Sequence, residues 1–183
     1  MGRNFAFQRT TTRRILVRPA GWEDIEGMTR VSVDTWRLTY KDILPQAYLD
    51  RMRRSSHENQ RSRMMHAQGV HHFVAIEPLA GEAVGFVSCG PTRSGGAAPG
   101  EIYELYVQNG FQGRGVGRRL FRAAADRLAR DGHESMIVWV LADNPNRGFY
   151  PRLGGWRHAR KTIHVGGAPV DELAYVWRLD RAV

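Results

Sequence analysis

The sequence predicts a single mixed α/β domain, and three observations carry that prediction. Hydrophobic periodicity alternates between the two-residue repeat of strands and the 3.6-residue repeat of helices, in the order β, α, α, β, β, β, α, β, α, β, β. The 183 residues contain no internal repeat and no linker, and a chain of this length suits one hydrophobic core. A glycine-rich stretch, 109–117, joins a strand to a strongly amphipathic helix.

Residues 1–14, with Arg3, Arg9, Arg13, Arg14 and no acid, read as a flexible basic extension, and 15–183 as the single domain. Residues 15–18 form a short strand ended by Pro19. From Asp24 to about Thr39, Ile25, Met28, Val31 or Ser32, and Thr35 or Trp36 line one helical face, and Ile43-Leu44-Pro45 breaks the helix. A second helical piece over 46–52 precedes a polar, arginine-rich stretch that Gly69 closes. Residues 72–76 and 84–89 are β-branched runs around a turn at 78–81, an antiparallel hairpin. Residues 92–100 are a loop and 102–107 the next strand. The helix over 116–130 turns Val116, Leu120, Phe121, Ala124 and Leu128 inward, with Gly132 placed to end it. A strand over 136–141, a short helix over 146–153 behind Pro145, and two strands over 162–165 and 173–179 around Gly166-Gly167 complete the chain.

Composition narrows the function. Hydrophobic residues at 42% and charged residues at 25% are globular proportions. The lone Cys89 rules out an intramolecular disulfide and a cysteine-based zinc site, and reads as a small core residue. No apolar run approaches the ~18–20 residues of a membrane span, so no membrane partner is expected, and the single thiol suits a reducing compartment, so a cytoplasmic location is expected. His71 and His72 alternate to opposite strand faces, so no metal site is expected there. A net charge of +9 favours polyanions, whether nucleic acid, anionic membrane or a phosphorylated small molecule. Its densest run, Arg51, Arg53, Arg54, Arg61 and Arg63, lacks interleaved aromatics and reads as a solvated helical face rather than a nucleic-acid stripe.

The strongest chemical signal lies in 107–118. Glycines let consecutive N–H groups converge without Cβ obstruction, and the helix start adds partial positive charge, together a pyrophosphate cradle. Arg114, Arg118 and Arg119 add charge around it. There is no Gly-Lys-Ser/Thr, and Gly113-x-Gly115-x-Gly117 has the wrong final spacing for a dinucleotide fingerprint. A plain tight turn into a core helix would use the same glycines.

These residues resemble the GNAT superfamily of acyl-CoA N-acyltransferases. The family's Gln/Arg-x-x-Gly-x-Gly/Ala signature is matched by Gln112-Gly113-Arg114-Gly115-Val116-Gly117. In the same order, Ile15-Leu16-Val17-Arg18-Pro19-Ala20 is similar to its first strand and 101–107 to its signature strand. Asn144 and Phe149-Tyr150-Pro151-Arg152-Leu153-Gly154-Gly155-Trp156 resemble its Asn…Phe-Tyr-x-x-Leu-Gly-aromatic segment. The resemblance covers about 15–180. It implies a mostly antiparallel central sheet flanked by helices and splayed between the signature strand and the next.

It also implies acetyl-CoA as co-substrate and no metal. The loop Gln112, Gly113, Arg114, Gly115, Val116, Gly117 and Arg118 would hold the pyrophosphate through its amides. Pantetheine would lie strand-like against Leu105, Tyr106 and Val107. Asn144 matches a cofactor contact, though its place ahead of Pro145 equally suits a helix cap. The Val107 N–H would meet the developing oxyanion, and Tyr150 matches the general acid, the alternative being a core aromatic. Glu101 or Glu104 would take the amine's proton directly or through water, or both are solvated charges and solvent is the base. Three apart, they point to opposite faces of an ideal strand, Glu101 with Leu105 and Val107, unless a bulge reverses one.

Asp34, Trp36 and Tyr40 are candidates for the acceptor site, although Trp36 and Tyr40 at i, i+4 could simply pack together. The implied acceptor is a primary amine of a small molecule, with a protein N-terminus or lysine left open, and a homodimer is implied by analogy alone. The rival readings are a basic nucleic-acid-binding protein and an inactive CoA-binding sensor.

Overall fold

The computed structural model describes residues 14–93 and 97–179. Apart from Arg14, the basic extension lies outside the described residues. The elements run β1 (Leu16–Pro19), α1 (Ile25–Thr39), α2 (Gln46–Asp50), α3 (Arg54–Met65), β2 (His71–Glu77), β3 (Glu82–Pro91), β4 (Gly100–Val107), α4 (Val116–Arg130), β5 (Ser135–Leu141), α5 (Phe149–Arg152), β6 (Trp156–Val165) and β7 (Ala168–Arg178).

The strands form one seven-stranded sheet in the order β1-β2-β3-β4-β5-β7-β6. Every neighbouring pair is antiparallel except β4 and β5, which run parallel. Helix α4 covers one face: Val116, Leu120, Phe121, Ala124 and Leu128 pack with Val87, Cys89, Ile102, Val107, Val138 and Trp177. Helix α1 covers the other, setting Met28 and Val31 against Val74, Ala83 and Phe86. Burying a side chain such as Leu120 or Leu128 stabilises the fold by about 1.5–3 kcal/mol.

Two departures from regularity shape the site. The β4/β5 ladder holds only from Gly100 to Ile102, opposite Met136 to Val138, and the strands then diverge. The sheet is thus splayed where Tyr103–Val107 would otherwise pair, as the resemblance implies. The second is a bulge on β4: Glu104 faces Ser88 and Ile102 faces Cys89, so Tyr103 is an extra residue.

The differences from the sequence reading have physical causes. Helix α3 lies within the polar, arginine-rich stretch, and its Arg61, expected on a solvated helical face, is instead its one buried residue, so no apolar stripe marks its bounds. Strand β6 begins at Trp156 rather than 162, because as an edge strand it is exposed on both faces and shows no alternation. The short helix over 146–153 contracts to Phe149–Arg152, with turns over 144–148.

Candidate active site

The glycine loop is built by local chemistry. Gly113 (φ 71°) and Gly115 (φ 78°) both occupy left-handed backbone, which costs an L residue about 1–2 kcal/mol. Gly115 is the N-cap of α4, and among the described residues no side chain caps that terminus. The first amides of the helix therefore keep free donors under a positive partial charge. The Gln112 amide pins the loop to the strand, donating to the Val107 carbonyl (2.9 Å) and Asn109 Oδ1 (3.1 Å). The Arg114 guanidinium lies over the Phe111 ring, 5.4 Å from its centroid, and Val116 is buried in the core.

A cavity of about 550 Å³ runs from this loop into the splay. Leu105, Tyr106 and Val107 of β4 line it, with Gln112, Gly113, Gly115, Gly117 and Arg118 at the loop and Asn144, Phe149 and Tyr150 opposite. Tyr40 reaches it from α1. These residues span more than a hundred positions of sequence and meet in one concavity because the ladder opens there.

The phenols inside it are fixed by their surroundings. The Tyr150 ring stacks on Tyr175 (centroids 5.8 Å) and meets Phe149 edge-on (5.4 Å). Burial pushes its phenol well up, so it is a protonated donor at neutral pH. Asn144 donates from Nδ2 to the Tyr40 hydroxyl (2.8 Å), and its Oδ1 accepts the Asn146 N–H (2.8 Å). Trp36 does not line the cavity; its Nε1 donates to the Tyr106 hydroxyl at 2.7 Å while its ring meets Tyr40 edge-on at 4.9 Å. Burial pushes Tyr40 up to about 12 and Tyr106 well above its ordinary value.

The carboxylates are arranged differently from the ideal-strand expectation. Ser88 and Gly90, two apart on β3, face Glu104 and Glu101 respectively, so the Tyr103 bulge turns both acids to one face, away from Leu105. Neither is among the cavity-lining residues. Glu101 is buried and held by Arg93, with a guanidinium contact at 2.8 Å and the Arg93 backbone N–H at 2.8 Å. Glu104 is held by the buried Arg61 at 2.8 Å, whose guanidinium also lies over Phe86 at 4.4 Å. Asp34 pairs with Arg54 at 3.0 Å and also stands outside the cavity lining.

Sequence reasoning missed Thr35, Thr39, Asn146 and Arg152, which line the cavity, and the Arg61–Glu104 pair beneath α3. The spacing of Thr35 and Thr39, at i and i+4, was the available signal. His72 Nδ1 lies 2.8 Å from Ser88 Oγ on the face that carries Glu104, and burial lowers the imidazole's pKa. Burial also pushes the Cys89 thiol up to about 12, which suits a core residue rather than a nucleophile. Among the described residues no group of three or more His, Cys, Asp or Glu is placed to hold a metal ion, and no helix is long and apolar enough to cross a membrane.

Comparison with known proteins agrees with this geometry. Residues 33–155 match the family model described as the acetyltransferase (GNAT) family. The uncharacterized N-acetyltransferase YuaI of Bacillus subtilis is 36% identical over 165 residues, covering 89% of this chain and 92% of that one. An N-acetyltransferase structure from Staphylococcus aureus Mu50 superposes with a TM-score of 0.71 at 16% identity, over 91% of this chain and 99% of that one. The yncA structure from Salmonella typhimurium, solved with its cofactor acetyl-CoA, gives a TM-score of 0.68 at 20% identity, over 93% and 96%.

Proposed function

The chain belongs to the GNAT acetyltransferase family, and from that premise we propose that it moves an acetyl group from acetyl-CoA directly to the primary amine of a small molecule. One observation carries the reading most: the uncapped, glycine-built N-terminus of α4 opens into the cavity at the β4/β5 splay.

In this reading the pyrophosphate sits on the amides from Gly113 to Arg118, and pantetheine takes the place of the missing strand beside Leu105–Val107. The amine nitrogen attacks the thioester carbonyl carbon, and the Val107 N–H meets the oxygen as it gains charge. The carbon–sulfur bond then breaks, and Tyr150, kept protonated by burial, gives its proton to the leaving thiolate. The base is solvent: Glu101 and Glu104 are each held by an arginine outside the cavity lining. Asn144 orients Tyr40 as well as facing the cofactor.

The arginine run does not make an uninterrupted basic face, because Arg61 is buried against Glu104 and Arg54 pairs with Asp34 at the surface. The test is release of free thiol from acetyl-CoA across a panel of primary amines, with mass spectrometry of the products. Amine-dependent thiol release with a product about 42 Da heavier, the mass an acetyl group adds, supports the reading. Acetyl-CoA bound but left intact with every amine would make the protein a sensor instead.

A further inference from the structure

The acceptor end of the cavity holds two phenols whose hydrogen-bond directions are settled by their neighbours. An indole N–H only donates, so the Tyr106 hydroxyl accepts from Trp36 at 2.7 Å. The Asn144 amide is oriented by the Asn146 N–H on its Oδ1, so it is Nδ2 that faces Tyr40, and the Tyr40 hydroxyl also accepts. Each phenol thus has an oxygen already engaged by a fixed donor, and each keeps its own proton to give. Among the described residues neither proton has a protein acceptor, and both side chains line the cavity.

Two further observations point to the same ligand chemistry. Thr35, at the same end, has a buried Oγ1 with no partner. No carboxylate lines the cavity among the described residues, because Asp34, Glu101 and Glu104 are each occupied by an arginine outside the lining. A pair of O–H donors with no carboxylate beside them complements a group with several oxygen lone pairs and a negative charge.

We propose that Tyr40 and Tyr106 hold the carboxylate of the acceptor, which makes the acetylated molecule an amino acid rather than a plain alkylamine; this rests on the transferase reading above. The carboxylate accepts one O–H from each phenol. The amine on the neighbouring carbon is then turned toward β4, where the thioester would lie. A plain amine leaves both phenol protons unpaired in a largely desolvated pocket, and a site built to hydrogen-bond a missing group discriminates strongly against the molecule lacking it.

The test compares matched pairs that differ by the carboxylate: L-phenylalanine with 2-phenylethylamine, L-leucine with 3-methylbutylamine, L-histidine with histamine and L-lysine with cadaverine. Each is titrated calorimetrically into the full chain saturated with CoA. The expected result is at least one amino acid bound about tenfold or more tighter than its amine, with that ratio falling toward one in both Tyr106→Phe and Tyr40→Phe. A CoA titration and a thermal melt on each variant report whether the fold and cofactor site persist, and the wild-type ratios decide the matter even if one variant fails to fold. Amines that bind as well as their amino acids in every pair, a ratio that survives both substitutions, or no binding by any member overturns the proposal while leaving the transferase reading in place. A wild-type chain that does not bind CoA removes that reading, and the proposal with it.

Discussion

The two ends of the cavity are made in opposite ways. The phosphate end is backbone: Gly113 and Gly115 in left-handed conformation, an uncapped helix terminus, and one glutamine amide pinning the turn. All of it lies within 107–118. The acceptor end is side chain: Tyr40 and Thr35 from α1, Tyr106 from β4, Asn144 from the segment after β5, oriented by bonds spanning 70 and 104 residues. A backbone site depends on a few conformations that only glycine adopts readily, whereas a side-chain site depends on the whole fold being right. Substitutions should therefore separate binding of the cofactor from discrimination of the acceptor.

The largest effect is expected at the backbone end. Gly115→Glu imposes a Cβ at φ 78° and a carboxylate where the phosphates would lie. Calorimetry should show acetyl-CoA affinity reduced by about a hundredfold or more, roughly 2.7 kcal/mol. Affinity within threefold of the wild type in a folded variant would show that the loop is not the phosphate site.

Tyr150→Phe comes next and sharpens the division. Losing a general acid should lower kcat by about a hundredfold or more, with acetyl-CoA affinity little changed. If affinity falls while kcat at saturation holds, Tyr150 is only a packing residue. Because burial raises its pKa, its proton is retained as pH rises, so the wild-type kcat/KM should climb as the amine deprotonates. A falling limb that starts near pH 8 and vanishes in Tyr150→Phe would contradict that assignment.

Arg61→Met acts on the framework around the acceptor end. It strips Glu104 of its partner at 2.8 Å, and breaking a buried pair costs about 3–5 kcal/mol. A quarter of the Glu104 side chain stays exposed, so we expect less than that range, about 2 kcal/mol, in urea unfolding. Acetyl-CoA binding, made on the glycine loop, should persist; its loss would show the two ends to be one mechanical unit.

The smallest effect concerns His72. Its folded pKa is lowered, by burial first and by Arg61 and His71 among its neighbours, with Glu104 and the Met64 backbone opposing. Below the unfolded pKa of about 6.5 the unfolded chain binds more protons, so this contribution to stability is present above that pH and is lost as pH falls. Between pH 7 and 5 the wild type should lose stability that His72→Gln retains. Equal acid sensitivity of the two proteins in thermal melts would remove His72 from the account.

Legibility in the sequence follows the same division. Helix α4 spans the predicted residues, with the predicted inward face, because one strong apolar stripe and flanking glycines specify it locally. The splay was legible only through the resemblance, since no local pattern marks where a ladder stops. The bounds and the buried side of helix α3 leave no pattern because it docks through an arginine. An ideal strand sends Glu101 and Glu104 to opposite faces unless a bulge intervenes, and the bulge at Tyr103, which leaves no mark in the sequence, puts them on one. Tyr40 was legible as an acceptor candidate, whereas the donors that orient it and Tyr106 are set by tertiary contacts.

The central claim is that α4 presents its N-terminus to the pyrophosphate of acetyl-CoA within the β4/β5 opening. Calorimetric titration of the purified full chain with acetyl-CoA, desulfo-CoA and ATP tests it most directly. The account predicts single-site binding of acetyl-CoA and desulfo-CoA at about micromolar Kd, near 8 kcal/mol of binding free energy, and much weaker binding of ATP, which lacks the pantetheine strand. No binding of acetyl-CoA at millimolar concentration, or ATP bound equally well, would contradict it.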